Sequence, residues 1–175
     1  MSIMRTTLEI IRKKIDDTFQ AADPIQDAWV ILSNIVSQDG TSNPAAQNKV
    51  VMCVAHIQPE TYITSTARPS TATSGSLAVI PPPLYINLWL LFYANFEGHS
   101  YGESLEMISR TIAFFQRNPV FTRENAPDLD PAIGKLTIEL ENLDAPSLNN
   151  MLTSMGAKYL PAVCYKLRMI PYNGT

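Results

Sequence analysis

Apolar and polar residues alternate most sharply between residues 84 and 96. The even positions are Leu84, Ile86, Leu88, Leu90, Phe92, Ala94 and Phe96, and the odd ones Tyr85, Asn87, Trp89, Leu91, Tyr93 and Asn95. Strand side chains point alternately to opposite faces, so one face is wholly apolar and the other aromatic and amphipathic. Such a strand belongs inside a sheet, with core on its even face and a partly wet cover, another protein included, on its odd face. A helix follows. Ser100 and Glu103 have capping-box spacing, and Asn118-Pro119 is a stop signal. Tyr101, Leu105, Ile108, Ile112 and Phe115 recur at helical steps and are predicted to form the core stripe. Met107, Thr111 and Phe114 make an adjoining stripe, so the apolar arc is wider than a surface helix requires. A wide core stripe is the first reading and a partner-facing flank the second. Glu106 and Arg110, one turn apart, are expected as a surface pair.

The remaining pattern predicts an alternating order of elements. Met4, Leu8, Ile11, Ile15 and Phe19 share one face of an amphipathic helix over 2–20. Residues 29–36 read as a strand, with Asp39-Gly40 opening a polar loop, and 49–57 read as a second strand paired with the first in a long-looped hairpin. Residues 61–76, rich in threonine, serine and alanine, have no apolar period and are expected to be a mobile loop. Leu136, Ile138 and Leu140 alternate with polar residues in a further strand. Asp144 caps a short helix that carries Leu148, Met151, Leu152 and Met155, and Gly156 ends it. In a last strand after Pro161, Val163, Tyr165, Leu167 and Met169 alternate with Cys164, Lys166, Arg168 and Ile170. If the last two strands are neighbours, Glu139 and Glu141 can pair with Lys166 and Arg168. The expected fold is a single α+β domain over 1–175, with a mixed, mainly antiparallel β-sheet packed with helices.

Composition narrows the function more than any motif does. The 175 residues suit one domain that buries a core without disulfide or metal support. Charged residues are 17% of the chain against roughly 25% in typical soluble proteins, which leaves a surface poor in charge. A net charge of −3 supplies no broad basic footprint, so nucleic acid is not an expected partner. The longest apolar run is too short to span a bilayer, and the N-terminus lacks the apolar stretch of a signal peptide, so no membrane is expected and synthesis is assigned to the cytoplasm.

Catalytic chemistry is hard to assemble. Cys53 and Cys164 fall in predicted strands and read as reduced core thiols. Cys53 and His56, three apart on a strand, point to opposite faces. His56 and His99 are too few for a histidine metal site, no phosphate cradle occurs, and Glu124, Asp128 and Asp130 read as a solvated proline-rich turn. The chain is therefore read as a non-enzyme with no catalytic, cofactor or metal residues. Tyr85, Trp89 and Tyr93 lack the interleaved basic residues of a base-stacking platform and point to core or a protein interface.

The segments PPPLYINLWLLFYANF, YGESLEMISRTIAFFQRNPVF, QNKVVMCVAHIQPE and KLTIELENLDAPSLNNMLTSMGAKYLPAVCYKLRMI resemble, in order and spacing, tail-cap or tail-terminator proteins. These belong to phage-tail-like contractile injection systems, with the antifeeding-prophage type nearest. The resemblance implies a structural protein that forms a hexameric ring on the baseplate-distal end of the inner tube and sheath, ends polymerisation and holds the extended particle. It implies homo-oligomer, inner tube protein and sheath protein contacts, and a place in a particle that is extracellular after release. Candidate interface residues are Tyr62 and Arg68 in the loop, Tyr85, Trp89 and Tyr93 on the strand, and Phe114 on the helix. The alternative is an accessory adaptor or cargo-loading chaperone of the same apparatus.

Overall fold

The computed structural model describes residues 2–61, 84–97 and 101–172. Its first element, α1 (Ile3–Ala22), starts where the Ser2 hydroxyl accepts a hydrogen bond from the Arg5 amide at 3.3 Å, which satisfies one of the free N–H groups at a helix start. The expected stripe forms its buried face through Leu8, Ile11, Ile15 and Phe19. Three further strands and a helix follow the same logic. They are β1 (Val30–Leu32), β2 (Lys49–Pro59), β3 (Leu84–Asn95) and α2 (Tyr101–Arg117). After β4 (Val120–Phe121) and β5 (Leu136–Leu140), the chain ends in α3 (Ala145–Ser154) and β6 (Ala162–Tyr172). The Asp144 cap accepts from the Ser147 amide at 2.8 Å, and Gly156 has φ 69°, the left-handed turn expected after α3.

The strands form one mixed sheet in the order β1-β2-β3-β6-β5-β4, in which only the β1-β2 pairing is parallel. The fold class is therefore as expected, and β3 lies in the interior of the sheet. Its even residues Leu88, Leu90 and Phe92 pack with Leu8, Ile11, Ile15 and Phe19 of α1 and with Met107, Phe114 and Phe115 of α2. Its odd residues Leu91 and Tyr93 pack with Leu152 of α3. Helices thus cover both faces, and α3 supplies part of the cover left open on the odd face. The turn after β4, expected to be solvated, also buries Ala126, Leu129 and Ile133 in the first of these cores, while Glu124 and Asp128 stay exposed.

Several expectations are corrected. The predicted hairpin of 29–36 with 49–57 is absent, because β1 is only three residues long and runs parallel to β2. The intervening chain turns back on itself at a Val36–Ser42 bridge around Gly40, whose φ is 80°. A 3-10 turn, Pro44–Ala46, capped by Asn43, then returns the chain in the original direction. On α2, Phe115 and the adjoining Met107, Thr111 and Phe114 are buried as a wide core stripe requires, but most of the first stripe is not. Ser104, Met107, Thr111, Phe114 and Phe115 are buried, whereas Tyr101, Leu105 and Ile112 are exposed. Small hydroxyl residues let the helix approach the sheet: Ser104 Oγ donates to the Ala94 carbonyl at 3.3 Å, and Thr111 Oγ1 donates to its own helix at Met107. In β6 the alternation changes phase after Leu167, so Ile170 and not Met169 joins the core. The two-residue strand β4 carried no period long enough to read.

The mobile loop expected over 61–76 lies outside the described residues except for Thr61, as do the Ser100 cap and His99.

Candidate assembly surface

Helix α2 carries the clearest outward apolar surface. Tyr101, Leu105 and Ile112 are 52%, 49% and 39% exposed, with half-buried Ile108 between the last two, a continuous row at helical spacing. The row begins at a cleft of about 480 Å³ that Tyr101 shares with Tyr93, Glu97, Lys158 and the 70% exposed Tyr159. The cleft is bounded by the end of β3, the turn around Gly40 and the chain leaving α3. Charge borders the row on one side, where Arg110 Nε meets Glu106 Oε1 at 3.0 Å, the expected surface pair, and Nη2 meets Asp23 Oδ2 at 3.2 Å. An apolar row rimmed by ion pairs is suited to a protein contact.

Of the described candidate residues, Tyr93 lines the cleft, while Tyr85, Trp89 and Phe114 lie outside the row. Tyr62 and Arg68 lie outside the described residues. Phe114 is 4% exposed and belongs to the core beneath α2, against Phe115 at 5.2 Å. Tyr93 is 2% exposed, and its hydroxyl donates to the Lys158 carbonyl at 2.7 Å. Burial, with the charge of Glu97 adding, pushes its phenol up to about 12. Tyr85 and Trp89 are half-buried, and the Trp89 ring meets His56 edge-on at 5.3 Å. The Trp89 indole N–H is buried and has no acceptor among the described residues. The sequence missed Leu105 and Tyr159 as surface residues; Leu105 was assigned to the core because the helical arc is apolar on both flanks.

The expected opposite facing of Cys53 and His56 is corrected: β2 bulges between Val54 and His56, so the two lie opposite Leu91 and Trp89 on the same face of the sheet. Cys53 and Cys164 are free and buried, and burial first, then the neighbouring Cys164 for Cys53 and Glu141 for Cys164, raises each thiol from 9.0 to about 12. Both are neutral at physiological pH, and the thiolate is the nucleophilic form. Among the described residues no group of three or more His, Cys, Asp or Glu could hold a metal ion, and no helix is long and apolar enough to cross a membrane.

A buried polar cluster lies where β2, β3 and β6 meet. Strands β5 and β6 are neighbours with Glu139 opposite Lys166, as the charge pattern requires, but Arg168 turns mainly elsewhere. Its Nη1 is 3.7 Å from Glu139, while Nε and Nη2 both donate to Glu60 Oε2 at 2.9 and 2.8 Å. Asn87 Nδ2 donates to the same oxygen at 3.0 Å. The Glu60 side chain is 1% exposed, and no spacing in the sequence pairs a residue directly after Pro59 with one 108 positions later.

The family described as Pvc16 N-terminal domain matches residues 6–175. No curated protein matches. Two solved structures are similar in fold. One is the sheath/tube terminator of an extracellular contractile injection system, PVC, in the extended state, with TM-score 0.59, 15% identity, and 93% of this chain and 55% of that chain covered. The other is the anti-feeding prophage tube-terminating cap, with TM-score 0.54, 12% identity, and 94% and 54% covered. The chain thus spans little more than half the length of either.

Proposed function

The chain belongs to the Pvc16 N-terminal domain family, and on that footing we propose that it is the structural cap of a contractile injection particle. It assembles as a hexameric ring on the baseplate-distal end of the inner tube and sheath, stops their growth and holds the particle extended. Its partners are further copies of itself, the tube protein and the sheath protein, and its place after release is in an extracellular particle. No chemistry is required of it.

The observation that carries this reading is the correspondence of more than nine-tenths of the chain to the fold of two terminators. The outward row on α2 supports it. Each subunit of a closed ring contacts its neighbours through two different faces, and a charge-poor chain with an uncovered apolar helix flank has surface to give to such contacts.

The test is electron microscopy of particles produced with and without this protein. Loss of the distal density, together with tubes of uncontrolled length, is the expected result. Normal particles with uniform tubes in its absence would overturn the proposal.

A further inference from the structure

The apolar pattern of β6 fits two registers against β3. Continued unbroken from Tyr165 and Leu167, the alternation puts Met169 on the core face, opposite Ile86. In the structure Leu88 is opposite Leu167 but Ile86 is opposite Ile170, so two residues of β6, Arg168 and Met169, face the single residue Asn87. This is a β-bulge, and Met169 adopts φ 82°, which is strained for a side chain other than glycine. Methionine and isoleucine have similar apolar bulk, so burial at the position opposite Ile86 chooses neither register. Backbone strain favours the unbulged one. A polar interaction must tip the balance, since a one-residue slip reverses the facing of every residue beyond it.

We infer that Asn87, oriented by Glu60 and Arg168, selects the bulged register of β6. The bulge removes the Met169 N–H from the regular ladder, and Asn87 Oδ1 accepts it at 3.2 Å. Only one end of the Asn87 amide can accept, and its other end donates to Glu60 Oε2, which fixes the carbonyl toward Met169. Glu60 is held in turn by its own amide, which donates to the Tyr85 carbonyl at 2.8 Å, and by the two donors of Arg168. Glu60 and Arg168 are positioning residues. Asn87 makes the contact that only the bulge needs, and a buried polar group used to specify register is the best-attested role for such clusters. The register matters because β2, β3 and β6 outrun their neighbours. β1 meets β2 only at residues 50–52, and β5 meets β6 only at 165–168. The facing of 169–172 therefore decides which side chains the extended end of the sheet displays.

Cross-strand proton contacts measured by NMR test this directly. Asn87→Leu is expected to lose the Ile86–Ile170 contact and gain Ile86–Met169, while the distant Phe92–Tyr165 ring contact persists. The double change Glu60→Leu with Arg168→Leu removes both positioning residues together, and it is expected to populate both registers. Retention of Ile86–Ile170 as the single register in both variants would overturn the inference. So would an unprotected Met169 amide in hydrogen exchange of the unaltered protein, a measurement that requires no variant to fold; protection comparable to its strand neighbours is expected.

Discussion

Helices α1 and α2 lie on the same face of the sheet and differ in what they leave outside. The large apolar residues of α1 turn inward, and its outer face carries ion pairs, Arg12 with Glu9 at 2.7 Å and Lys13 with Asp17 at 2.6 Å. Helix α2 buries a face of equal size yet keeps Tyr101, Leu105 and Ile112 in solvent. Both helices have the periodicity of a surface helix, so periodicity does not separate them. The difference lies in what meets the sheet: α1 buries one hydroxyl residue near its start, Thr7, beside Leu8, Ile11, Ile15 and Phe19, whereas α2 brings Ser104 and Thr111, both 0% exposed, into the middle of the contact. An apolar residue displaced from the core by a small polar one is left facing outward. Helix α1 leaves no large apolar side chain exposed, whereas α2 leaves three.

The largest expected effect falls on α1. Phe19→Ala empties a site that is 2% exposed and is expected to cost about 3–5 kcal/mol of unfolding free energy, read by urea denaturation. Leu105→Ala on α2 is expected to stay within about 0.5 kcal/mol of the unaltered protein, as surface substitutions do. Equal losses in the two variants would erase the distinction between the helices.

Next in size is Ser104→Leu, which adds a branched side chain where α2 touches the Ala94 carbonyl. Overpacking there is expected to cost about 1–3 kcal/mol and to loosen α2 from the sheet, seen as faster amide exchange along the helix. A neutral result would mean that the closeness of α2 to β3 is not what turns Leu105 outward.

These positions also mark where the sequence was legible. Strand β3 and the stripe of α1 were readable because one period dominates each, and the Asp144 cap and Gly156 stop were readable because their conformational demands are local. The facing of α2 was not, since a serine with an internal acceptor in the sheet looks polar until its partner is known. The parallel β1-β2 pairing was hidden for a related reason. It depends on the path of the turn at Gly40 and the 3-10 turn after it, not on the strands themselves. The phase change in β6 was the least accessible, because Asn87, Glu60 and Arg168 meet only after three strands are aligned. Of the candidate surface, the excess apolar arc of α2 was visible; which flank of it faces outward was not.

Leu105→Glu with Ile112→Glu places charge in the outward row without touching the core, so stability is expected to change by no more than about 0.5 kcal/mol per site. Incorporation into particles, followed by the distal density in electron microscopy, is expected to be lost, because an unpaired charge buried at a subunit contact is strongly disfavoured. The matched control is Lys13→Glu on the outer face of α1, 68% exposed, which is expected to leave incorporation intact. If the control fails while the α2 variant assembles, the two helices have been assigned the wrong way round.

The smallest effect is predicted for the ion pair that finishes α1. Lys13 precedes Asp17 by one turn, and both side chains are mostly exposed, 68% and 59%. At that exposure water screens the attraction, and holding two side chains in one geometry offsets much of what remains. The basic residue also stands on the N-terminal side, the less favourable order for a helical pair. A double-mutant cycle on Lys13→Ala and Asp17→Ala is therefore expected to give a coupling of about 0.2–0.5 kcal/mol that falls further in salt. A coupling well above about 1 kcal/mol that persists in salt would mean that this pair is desolvated by something bound over it. In that case the outer face of α1 would be a contact surface as well, and the contrast between the two helices would fall.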